Sequence, residues 1–395
     1  MTKPPLHDIR ILDLSRLVAG NMLTHSLADF GAEVIKIERP GVGDDLRNWR
    51  VEGVATHWKV YARNKKSLSL DLRQPQGRDI LLKLVESAHV LVENFVPGTL
   101  ERWQLGPAEL HARNPGLIIA RVSGWGQTGP YREKPGFGSL VEAMSGFAAM
   151  TGFPDRPPVL PPLALADMIA GLSGAMAVLT ALRACESGGQ AGQVIDLSLF
   201  EPIFSTLGPQ ALNYQLTGKA PQRMGSRTAI TAPRNVYACK DGRYVALSAS
   251  MQGMAERLFR AIGRAELIDD PRFRSNTDRV ANNDALDAII AEFMAAHTQE
   301  ECLAIFSQAQ VTVGPVCDIE QLMEHPYIEG REVLVNAPDP ELGSIPMHNV
   351  TPRLNGTPGS IRSPAPELGQ HNAELLAELG FSSAEIEQLA QDKII

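Results

Sequence analysis

Cysteine is scarce in this sequence of 395 residues, which contains four cysteines, Cys185, Cys239, Cys302 and Cys317. No two of them have the C-x-x-C spacing, and no cysteine and histidine have the spacing of a zinc finger. A chain of this length buries well over half of its unfolded surface and needs no cross-links to fold. The sequence therefore excludes a disulfide framework and gives no support to a structural zinc site.

Long apolar runs are absent as well. No stretch of 18 apolar residues occurs, and the longest candidate, Met168–Leu182, is interrupted by glycine and serine. The first residues, Met1 to Asp8, lack the apolar segment of a signal peptide. The formal net charge of −8 argues against a nucleic-acid-binding protein. These observations predict a cytoplasmic protein with neither a membrane partner nor a nucleic-acid partner.

Common cofactor motifs are missing or fit poorly. There is no P-loop, no H-E-x-x-H and no G-x-S-x-G, and the scattered histidines, including His25 and His89, predict no metal site. A G-x-G-x-x-G match at Gly124–Gly129 follows the fifth predicted strand instead of the first, and Pro130 and Pro135 oppose a following helix. We therefore interpret this match as a mobile loop at the strand ends, and not as a nicotinamide dinucleotide site.

Strand and helix patterns alternate through the N-terminal half of the chain. Such alternation with short connections predicts an α/β fold, in which helices cover a parallel sheet. The predicted strands are 9–14, 33–37, 67–72, 89–95, 117–122 and 194–199, and the predicted helices are 21–30, 75–87 and 167–184, the last closed by the glycine-rich residues 188–192. Residues 225–314 do not continue this regular alternation. Their patterns indicate a strand at 244–248 and helices at 252–263, 282–296 and 299–309, and predict a smaller α+β domain.

Basic residues gather after the predicted strands, which is where ligands bind in parallel sheets. They are Arg16, Arg39, Arg63, Lys65, Lys66, Arg73 and Arg102. Each alone is compatible with a solvated surface residue. Together, in an acidic protein, they indicate a small ligand with several phosphates, because guanidinium groups match phosphate oxygens.

Asp167 is a lone carboxylate in an apolar segment of small residues, directly before the longest predicted helix. One interpretation is a helix N-cap that accepts backbone N–H bonds. The other is a reactive carboxylate, because a carboxylate can be a covalent nucleophile and a helix N-terminus stabilises its charge. The two interpretations are compatible, and the small Ala170, Gly171 and Gly174 would leave room for a substrate.

Motifs along nearly the whole chain resemble the class III CoA-transferase family (formyl-CoA transferase / carnitine-CoA transferase, CaiB/BaiF type). They are Ile11–Ser15 with Ala19 and Gly20, Gly31–Pro40, Gly43–Asp45, Asn64–Ser67, Val92–Phe95 with Pro97 and Gly98, Gly124–Pro130, and Leu368–His371. The resemblance implies a Rossmann-like large domain that binds CoA, a smaller α+β domain, and an interlocked homodimer. The large domain would comprise residues 1–205 and a returning C-terminal segment, 326–395, and the small domain would comprise residues 225–325.

The resemblance also implies the site residues and the chemistry. Asp167 matches the catalytic aspartate of the family. The positions that match CoA-binding residues are Val18, Ala19, Arg39, Leu70, Arg73, Asn94, Phe95, Arg102 and Lys134. No tightly bound cofactor is implied, because acyl-CoA and a free carboxylic acid are the substrates. The implied reaction moves CoA from a donor such as succinyl-CoA to the acid, through an anhydride and an aspartyl-CoA thioester on Asp167.

Two alternative functions remain open at this point. The α-methylacyl-CoA racemases of the same fold carry a histidine and then an aspartate after the glycine that corresponds to Gly136, where this chain has Phe137 and Gly138. Because racemisation needs a pair of acid and base groups, this difference favours a transferase. A nonenzymatic CoA-binding protein is the other alternative, and it would leave the setting of Asp167 unexplained.

One segment departs from the formyl-CoA transferase pattern. Those enzymes have a long glycine-rich run before the small domain, whereas Arg223–Thr228 contains a single glycine. Oxalate and formyl-CoA are therefore not expected as substrates, and larger dicarboxylic acids are. Arg227, or Arg132 with Lys134, would then contact the distal carboxylate of the acid.

Overall fold

The computed structural model describes residues 3–189 and 191–395. Met1 and Thr2, at the start of the segment examined for a signal peptide, and Gln190, in the glycine-rich stretch after the long helix, lie outside the described residues. The chain divides by its contacts into two compact units. The first comprises the chain up to Phe147, Leu160–Gly208 and Arg331–Ile395, and the second comprises Ala148–Val159 and Pro209–Gly330.

The observed division differs from the sequence-based boundaries at several points: the first unit extends to Gly208, and the second begins again at Pro209. Ala148–Val159 belongs to the second unit, although the boundary at 205 had assigned it to the large domain. The reason is local packing, since the Gly225 N–H donates to the Gly152 carbonyl (2.9 Å) and the Arg223 guanidinium donates to the Phe153 carbonyl (3.1 Å). The C-terminal segment of the first unit begins at Arg331 instead of 326.

A sheet of parallel strands forms the centre of the first unit. Six strands of the described chain join it: β1 (Arg10–Asp13), β2 (Glu33–Glu38), β3 (Lys65–Ser69), β4 (Val90–Glu93), β5 (Ile118–Ser123) and β6 (Val194–Ser198). Their spatial order is β3-β2-β1-β4-β5-β6, and every neighbouring pair is parallel. The order reverses between β1 and β4, which is where doubly wound sheets open a ligand crevice. The predicted Rossmann-like α/β fold is confirmed.

Helices cover both faces of this sheet over two apolar core clusters. The helices of the first unit are α1 (Ala19–Ala28), α2 (Thr56–Tyr61), α3 (Pro75–Val85), α4 (Thr99–Arg102), α5 (Pro107–Arg113), α6 (Gly138–Met144), α8 (Leu165–Gly188) and α9 (Phe200–Ser205), with a 3-10 helix at Asp45–Asn48. All but the first residue of α7 (Phe147–Met150) belongs to the second unit. The helices α1 and α8 approach closely, because a Cβ on Gly171 would lie 2.7 Å from the Cβ of Met22. Small residues on α8 therefore bring the start of α1 next to Asp167.

Helix α8 alone has the length and apolar composition of a membrane span among the described residues. The sequence had suggested a shorter, interrupted segment. In the structure, 44% of the most apolar window is buried, and Ala170, Gly174 and Val178 face the core of the first unit. A core helix passes the same test of length and composition, so this finding is weak evidence for a membrane.

The C-terminal segment completes the first unit. It contains the antiparallel pair β10 (Leu334–Asp339) and β11 (Gly343–His348), followed by α17 (Asn372–Glu378) and α18 (Ser383–Gln391). The backbone N–H of Ser67 on β3 donates to His371 Nδ1 (3.1 Å), and that of Ser69 donates to Asn372 Oδ1 (2.8 Å). These bonds cover the outer edge of the sheet, which would otherwise expose unpaired backbone groups.

The second unit is a smaller α+β body with its own apolar core. Its antiparallel sheet has the order β7 (Arg234–Ala238), β8 (Tyr244–Ser248), β9 (Val313–Pro315). Its helices are α10 (Gln210–Thr217), α11 (Gln252–Ala261), α12 (Asn276–Ala281), α13 (Asn283–Ala296), α14 (Gln299–Gln308), α15 (Ile319–Met323) and α16 (Pro326–Gly330), with a 3-10 helix at Ala265–Ile268. The prediction of a smaller α+β body beside the parallel sheet is confirmed.

Candidate active site

Two adjoining cavities open at the carboxyl edge of the parallel sheet. The strand-end cavity, of about 370 Å³, lies beyond β1, β2 and β3, and the Asp167 cavity, of about 410 Å³, lies beyond β1, β4 and β5. Arg16, Phe95 and Val96 line both of them. The cavities therefore form one continuous groove across the point where the strand order reverses.

Besides Phe95, which lines both cavities, three predicted CoA-binding residues line the strand-end cavity, Arg39, Leu70 and Arg73. Arg73 is exposed and pairs with Asp71, at 2.6 Å between Nη2 and Oδ2, and this hydrogen bond lowers the pKa of Asp71. Phe95 packs edge-on against Trp103, with ring centroids 5.2 Å apart. Exposed guanidinium groups beside apolar rings suit a ligand that carries both phosphates and a flat ring.

The Asp167 cavity collects four predicted residues, Ala19, Asn94, Phe95 and Lys134. The Asn94 side chain holds the backbone of Arg16 at two points, accepting from its N–H (2.8 Å) and donating to its carbonyl (2.7 Å). Asn94 thus fixes the turn between β1 and α1. The other walls come from the glycine loop, residues 124–137, which connects β5 with α6.

Asp167 lies in the first turn of α8 and is not its N-cap. The N-cap position is Ala164, which has no side-chain cap, so the capping interpretation is wrong. A Cβ on Gly138 would lie 2.2 Å from Asp167 Oδ2, so a larger residue there would displace the carboxylate from its present position. Burial, and after it the negative charge of Glu142, raise the pKa of Asp167 to about 6, while the backbone N–H groups of Asp167 and Ala19 oppose that shift.

Glu142 on α6 is a site residue that the sequence analysis missed. Its side chain is buried, and Oε1 accepts a hydrogen bond from the Ala166 N–H (3.0 Å) directly before Asp167. A single glutamate on a short helix gives no pattern that distinguishes it from a surface residue. Its position becomes visible only once α6 lies against the start of α8.

Two predicted CoA-binding residues line neither of these two cavities. The Val18 side chain is buried in a small core cluster with Leu46, Trp58 and Ala62, so only its backbone belongs to the turn beside the site. Arg102 lines a third cavity, which shares Pro97, Arg132 and Glu133 with the Asp167 cavity, and its guanidinium donates to Thr99 Oγ1 (2.8 Å). The sequence motif gives the order of these residues but not the direction of their side chains.

The basic run Arg63 to Lys66 does not belong to the ligand edge, which corrects the prediction from the sequence. Arg63 is fully buried and pairs with Asp29 (2.6 Å), and Lys65 pairs with Asp13 (3.2 Å) below the surface. Lys66 pairs with Glu33 (2.9 Å) and with a glutamate of the C-terminal segment. The run lies at the amino end of β3, whose first two residues are Lys65 and Lys66, and does not follow the carboxyl end of a strand.

Arg227 was one of the candidates for binding the distal carboxylate of a dicarboxylic acid. In the second unit its Nη1 lies 2.5 Å from Asp284 Oδ1 and its Nε lies 2.5 Å from Asp287 Oδ2. The guanidinium is therefore already paired with two carboxylates. Arg132 and Lys134 of the glycine loop do line the Asp167 cavity.

No group of three or more His, Cys, Asp or Glu side chains that could hold a metal ion occurs in residues 3–189 and 191–395. The candidate site consists of the Asp167 carboxylate, its neighbours on α6 and α1, and the groove that leads to it.

Comparison with known proteins identifies the family. The model of CoA-transferase family III matches residues 6–372. The chain belongs to that family. Among its relatives, succinyl-CoA–D-citramalate CoA-transferase of Chloroflexus aurantiacus is 41% identical over 395 residues, which cover 99% of this chain and 98% of the relative. The alpha subunit of succinyl-CoA–L-malate CoA-transferase of Chloroflexus aurantiacus is 40% identical, with 99% of this chain and 92% of the relative covered.

Solved structures agree with this assignment. A crystal structure of a CaiB/BaiF family protein from Brucella suis matches this family III CoA-transferase with a TM-score of 0.85 at 34% identity, covering 96% of this chain and 100% of that chain. The protein is accordingly an enzyme that transfers CoA between an acyl-CoA and a free carboxylate. CoA thioesters and carboxylic acids are its substrates, as predicted from the resemblance.

Proposed function

We propose that Asp167 is the nucleophile of this CoA-transferase. The observation that carries the proposal is the placement of one half-buried carboxylate at the inner end of the groove, next to the N–H of Ala19 and opposite Gly138. The pKa of about 6 leaves the carboxylate largely ionised at neutral pH, and poor solvation makes it a stronger nucleophile.

The reaction balances without a metal or a nucleoside triphosphate. Asp167 attacks the thioester carbonyl of the donor, the C–S bond breaks, and a mixed anhydride and a CoA thiolate form. The thiolate attacks the aspartyl carbonyl, releasing the donor acid and leaving an aspartyl-CoA thioester. The acceptor carboxylate attacks that thioester to form a second anhydride, and the released thiolate then attacks the acceptor carbonyl. The products are the new acyl-CoA and the free Asp167 carboxylate.

The N-terminus of α1 is suited to stabilise these steps. The N–H of Ala19 faces the carboxylate, and its alignment follows from the turn that Asn94 fixes. Backbone donors and the positive end of a helix stabilise negative charge that develops on an attacked carbonyl. We assign Ala19 and Asn94 to this role within the proposed mechanism.

We assign the CoA molecule to the continuous groove. Its phosphates would meet Arg39, Arg73 and Arg16 in the strand-end cavity, and its pantetheine would pass Phe95 toward Asp167. Lys134 lies at the Asp167 end. The Arg102 position matches the family pattern, but its guanidinium lies in the neighbouring cavity, so we give it a weaker role.

For the substrates we propose a donor such as succinyl-CoA and a dicarboxylic acceptor. The two relatives above are named for succinyl-CoA and a hydroxylated dicarboxylate. In this chain Arg132 and Lys134 bring positive charge to the wall of the Asp167 cavity, where a distal carboxylate would need a partner. A racemase is disfavoured because Phe137, which is 62% exposed, lines the same wall and supplies no base.

We further propose a homodimer that acts in the cytoplasm without a tightly bound cofactor. A row of exposed apolar side chains on α8, Leu172, Met176 and Leu179, supports the dimer. The acidic composition supports a cytoplasmic location. The chemistry above needs no group beyond the protein and its substrates.

The deciding experiment is an incubation in D₂O with a panel of acyl-CoAs, including succinyl-CoA and a 2-methylacyl-CoA, and a mixture of mono- and dicarboxylic acids. Mass spectrometry reads every CoA ester. We expect a new dicarboxylyl-CoA that disappears with Asp167→Ala and persists with Asp79→Ala, an exposed carboxylate on α3. In Arg132→Gln, we expect less CoA transfer to dicarboxylic acceptors relative to the transfer to monocarboxylic acceptors.

The same panel contains the outcomes that contradict the proposal. Full transfer activity in Asp167→Ala would exclude an aspartyl intermediate. Gain of one deuteron on an unchanged acyl-CoA would indicate a racemase. Binding of acyl-CoA without turnover of any panel member would favour the nonenzymatic alternative.

A further inference from the structure

The two ends of the glycine loop touch at a pair of glycines. A Cβ on Gly124 would lie 2.5 Å from the Cα of Gly136, and a Cβ on Gly136 would lie 2.7 Å from the Cα of Gly124. No side chain fits at either position, because contacts below 3.0 Å essentially never occur at real Cβ atoms. The loop is therefore closed at its base, directly above β5.

Trp125 joins the two halves of this closed loop. Its indole Nε1 donates a hydrogen bond to the Pro135 carbonyl (3.0 Å), and a Cβ on Gly136 would lie 2.9 Å from the same nitrogen. Tyr131 meets the indole edge-on, with ring centroids 5.6 Å apart. The indole therefore covers Gly136, and its N–H satisfies the backbone carbonyl of Pro135, the residue before it.

The first half of the loop is fixed by anchors that the second half lacks. The Gly126 N–H donates to Ser123 Oγ (3.0 Å), and the Gln127 N–H donates to Asp196 Oδ1 (2.9 Å) on β6. Both anchors hold the loop before its exposed tip. After the tip, residues 132–137 are largely exposed, and the indole is what ties the segment Pro135–Gly136 to the anchored half.

The tethered segment leads directly to the reactive carboxylate. Phe137 is the N-cap of α6 and Gly138 its first residue, and Gly138 is the glycine that lies against Asp167 Oδ2. Gly136 and Phe137 also line the Asp167 cavity. A shift of the Pro135–Gly136 backbone would move the wall that keeps water from Asp167.

We propose that Trp125 is a positioning residue for CoA transfer, which holds the backbone of residues 136–138 against Asp167 and excludes water from the acyl intermediates. The proposal rests on the function proposed above. The side reaction that it suppresses balances as follows: water attacks the acyl carbon of the mixed anhydride, the anhydride C–O bond breaks, and the donor acid, the Asp167 carboxylate and a proton result. With the CoA already released, the net reaction is hydrolysis of the acyl-CoA.

The variant Trp125→Phe tests this directly, because it keeps an aromatic side chain at this position but removes the N–H that donates to Pro135 and the five-membered ring that lies over Gly136. We expect the ratio of acyl-CoA hydrolysis to CoA transfer to rise by about tenfold or more, with kcat for transfer reduced and KM for acyl-CoA changed less than about threefold. Acceptor-dependent and acceptor-independent release of free CoA measure the two rates. Trp49→Phe, an exposed tryptophan that lines neither cavity, is the matched control and should behave as the wild type.

A second readout separates positioning from a loss of stability. Burial is the main cause of the raised pKa of Asp167, so entry of water should lower that pKa and move the acid limb of kcat/KM to lower pH in Trp125→Phe. A variant that is only less stable would have a lower melting temperature. Its acid limb of kcat/KM and its ratio of acyl-CoA hydrolysis to CoA transfer would be those of the wild type. If Trp125→Phe does not fold, Tyr131→Ala, which removes the ring beside the indole, carries the same expectation.

The outcomes also distinguish this inference from the proposed function. An unchanged hydrolysis ratio and pH limb in Trp125→Phe, together with inactive Asp167→Ala, would overturn the role of Trp125 alone. Retained transfer in Asp167→Ala would overturn the aspartyl mechanism, and with it the reason for excluding water.

Discussion

A carboxylate that attacks a thioester near neutral pH has to be ionised and yet poorly solvated, and Asp167 meets both demands. Burial raises its pKa to about 6, and the N–H of Ala19 at the start of α1 limits the rise. Glu142 lies about one helical turn after Gly138 on α6 and adds a negative charge near Asp167. The three influences together place the ionisation just below neutral pH.

The charge of Glu142 gives a prediction for the pH dependence of the enzyme. Replacing it by glutamine keeps an oxygen that can accept from the Ala166 N–H and removes the negative charge. Because a nearby like charge disfavours the ionised form, its removal should lower the pKa of Asp167. Activity requires the carboxylate, so the acid limb of kcat/KM, expected near pH 6 in the wild type, should move to lower pH by a fraction of a unit.

Rates measured from pH 4.5 to 8 with a fixed acceptor would show this shift. The control is Glu86→Gln, a change of the same charge at the exposed C-cap of α3, where the limb should not move. A limb that stays in place in Glu142→Gln, or that moves to higher pH, would show that Glu142 does not raise the pKa of Asp167 through its charge.

At the scale of single residues, the sequence singled out Asp167 but did not reveal its surroundings. Asp167 stands out because one charge in an apolar segment needs an explanation. Val18 and Arg102 match the same family pattern, yet their side chains lie in the core and in a neighbouring cavity. Side-chain direction depends on local backbone geometry, such as the left-handed Leu17 directly before Val18, and a motif does not record it.

At the scale of elements, a buried ionic cluster fixes the turn between β1 and α1. Lys36 on β2 contacts Asp13 on β1 (3.2 Å) and Asp44 (2.9 Å), and all three side chains are almost fully buried. Asp44 in turn accepts from the Leu17 N–H (2.9 Å), and Asp13 accepts from the Ser15 N–H (3.0 Å). The cluster thus positions the turn that presents the N–H of Ala19 to Asp167.

Removing the lysine of this cluster should be costly. In Lys36→Met two buried carboxylates lose their shared partner, and an uncompensated buried charge typically lowers the free energy of unfolding by about 3–5 kcal/mol. The matched control is Lys66→Met on β3, which breaks partly exposed ion pairs and should cost less than about 1 kcal/mol. Urea denaturation followed by circular dichroism measures both values, and equal losses in the two variants would contradict the assigned role of the buried cluster.

The elements themselves were largely predictable, because apolar periodicity depends on a few neighbouring residues. The strand predicted at 244–248 has the same bounds in the structure, and the one predicted at 33–37 gains one residue. The strand predicted at 67–72 is displaced to Lys65–Ser69, and this displacement explains why the basic run before it was misplaced. Burial of Arg63 and Lys65 depends on partners more than thirty residues away, which local patterns do not reveal.

At the scale of the whole molecule, two features concern the oligomeric state: the return of the chain to the first unit at its C-terminal end, and the exposed apolar side chains of α8. The first unit is completed by Arg331–Ile395, after the chain has formed most of the second unit. On α8 the side chains of Leu172, Met176 and Leu179 are 55%, 67% and 44% exposed. Their spacing puts them on one side of the helix, opposite the small residues that contact α1. A single chain would leave this apolar row in water.

A charge in the middle of this row should therefore prevent assembly. We expect the wild type to have the mass of two chains in light scattering after size exclusion, and Met176→Glu to shift the protein toward one chain, because a carboxylate buried without a partner at an interface is strongly unfavourable. Val51→Glu, at an isolated exposed valine, should remain a dimer. A monomeric wild type would contradict the homodimer itself, whereas a dimeric Met176→Glu would place the interface elsewhere. Because the row lies on the same helix as Asp167, loss of the dimer should also lower CoA transfer, and the activity of each separated species tests that connection.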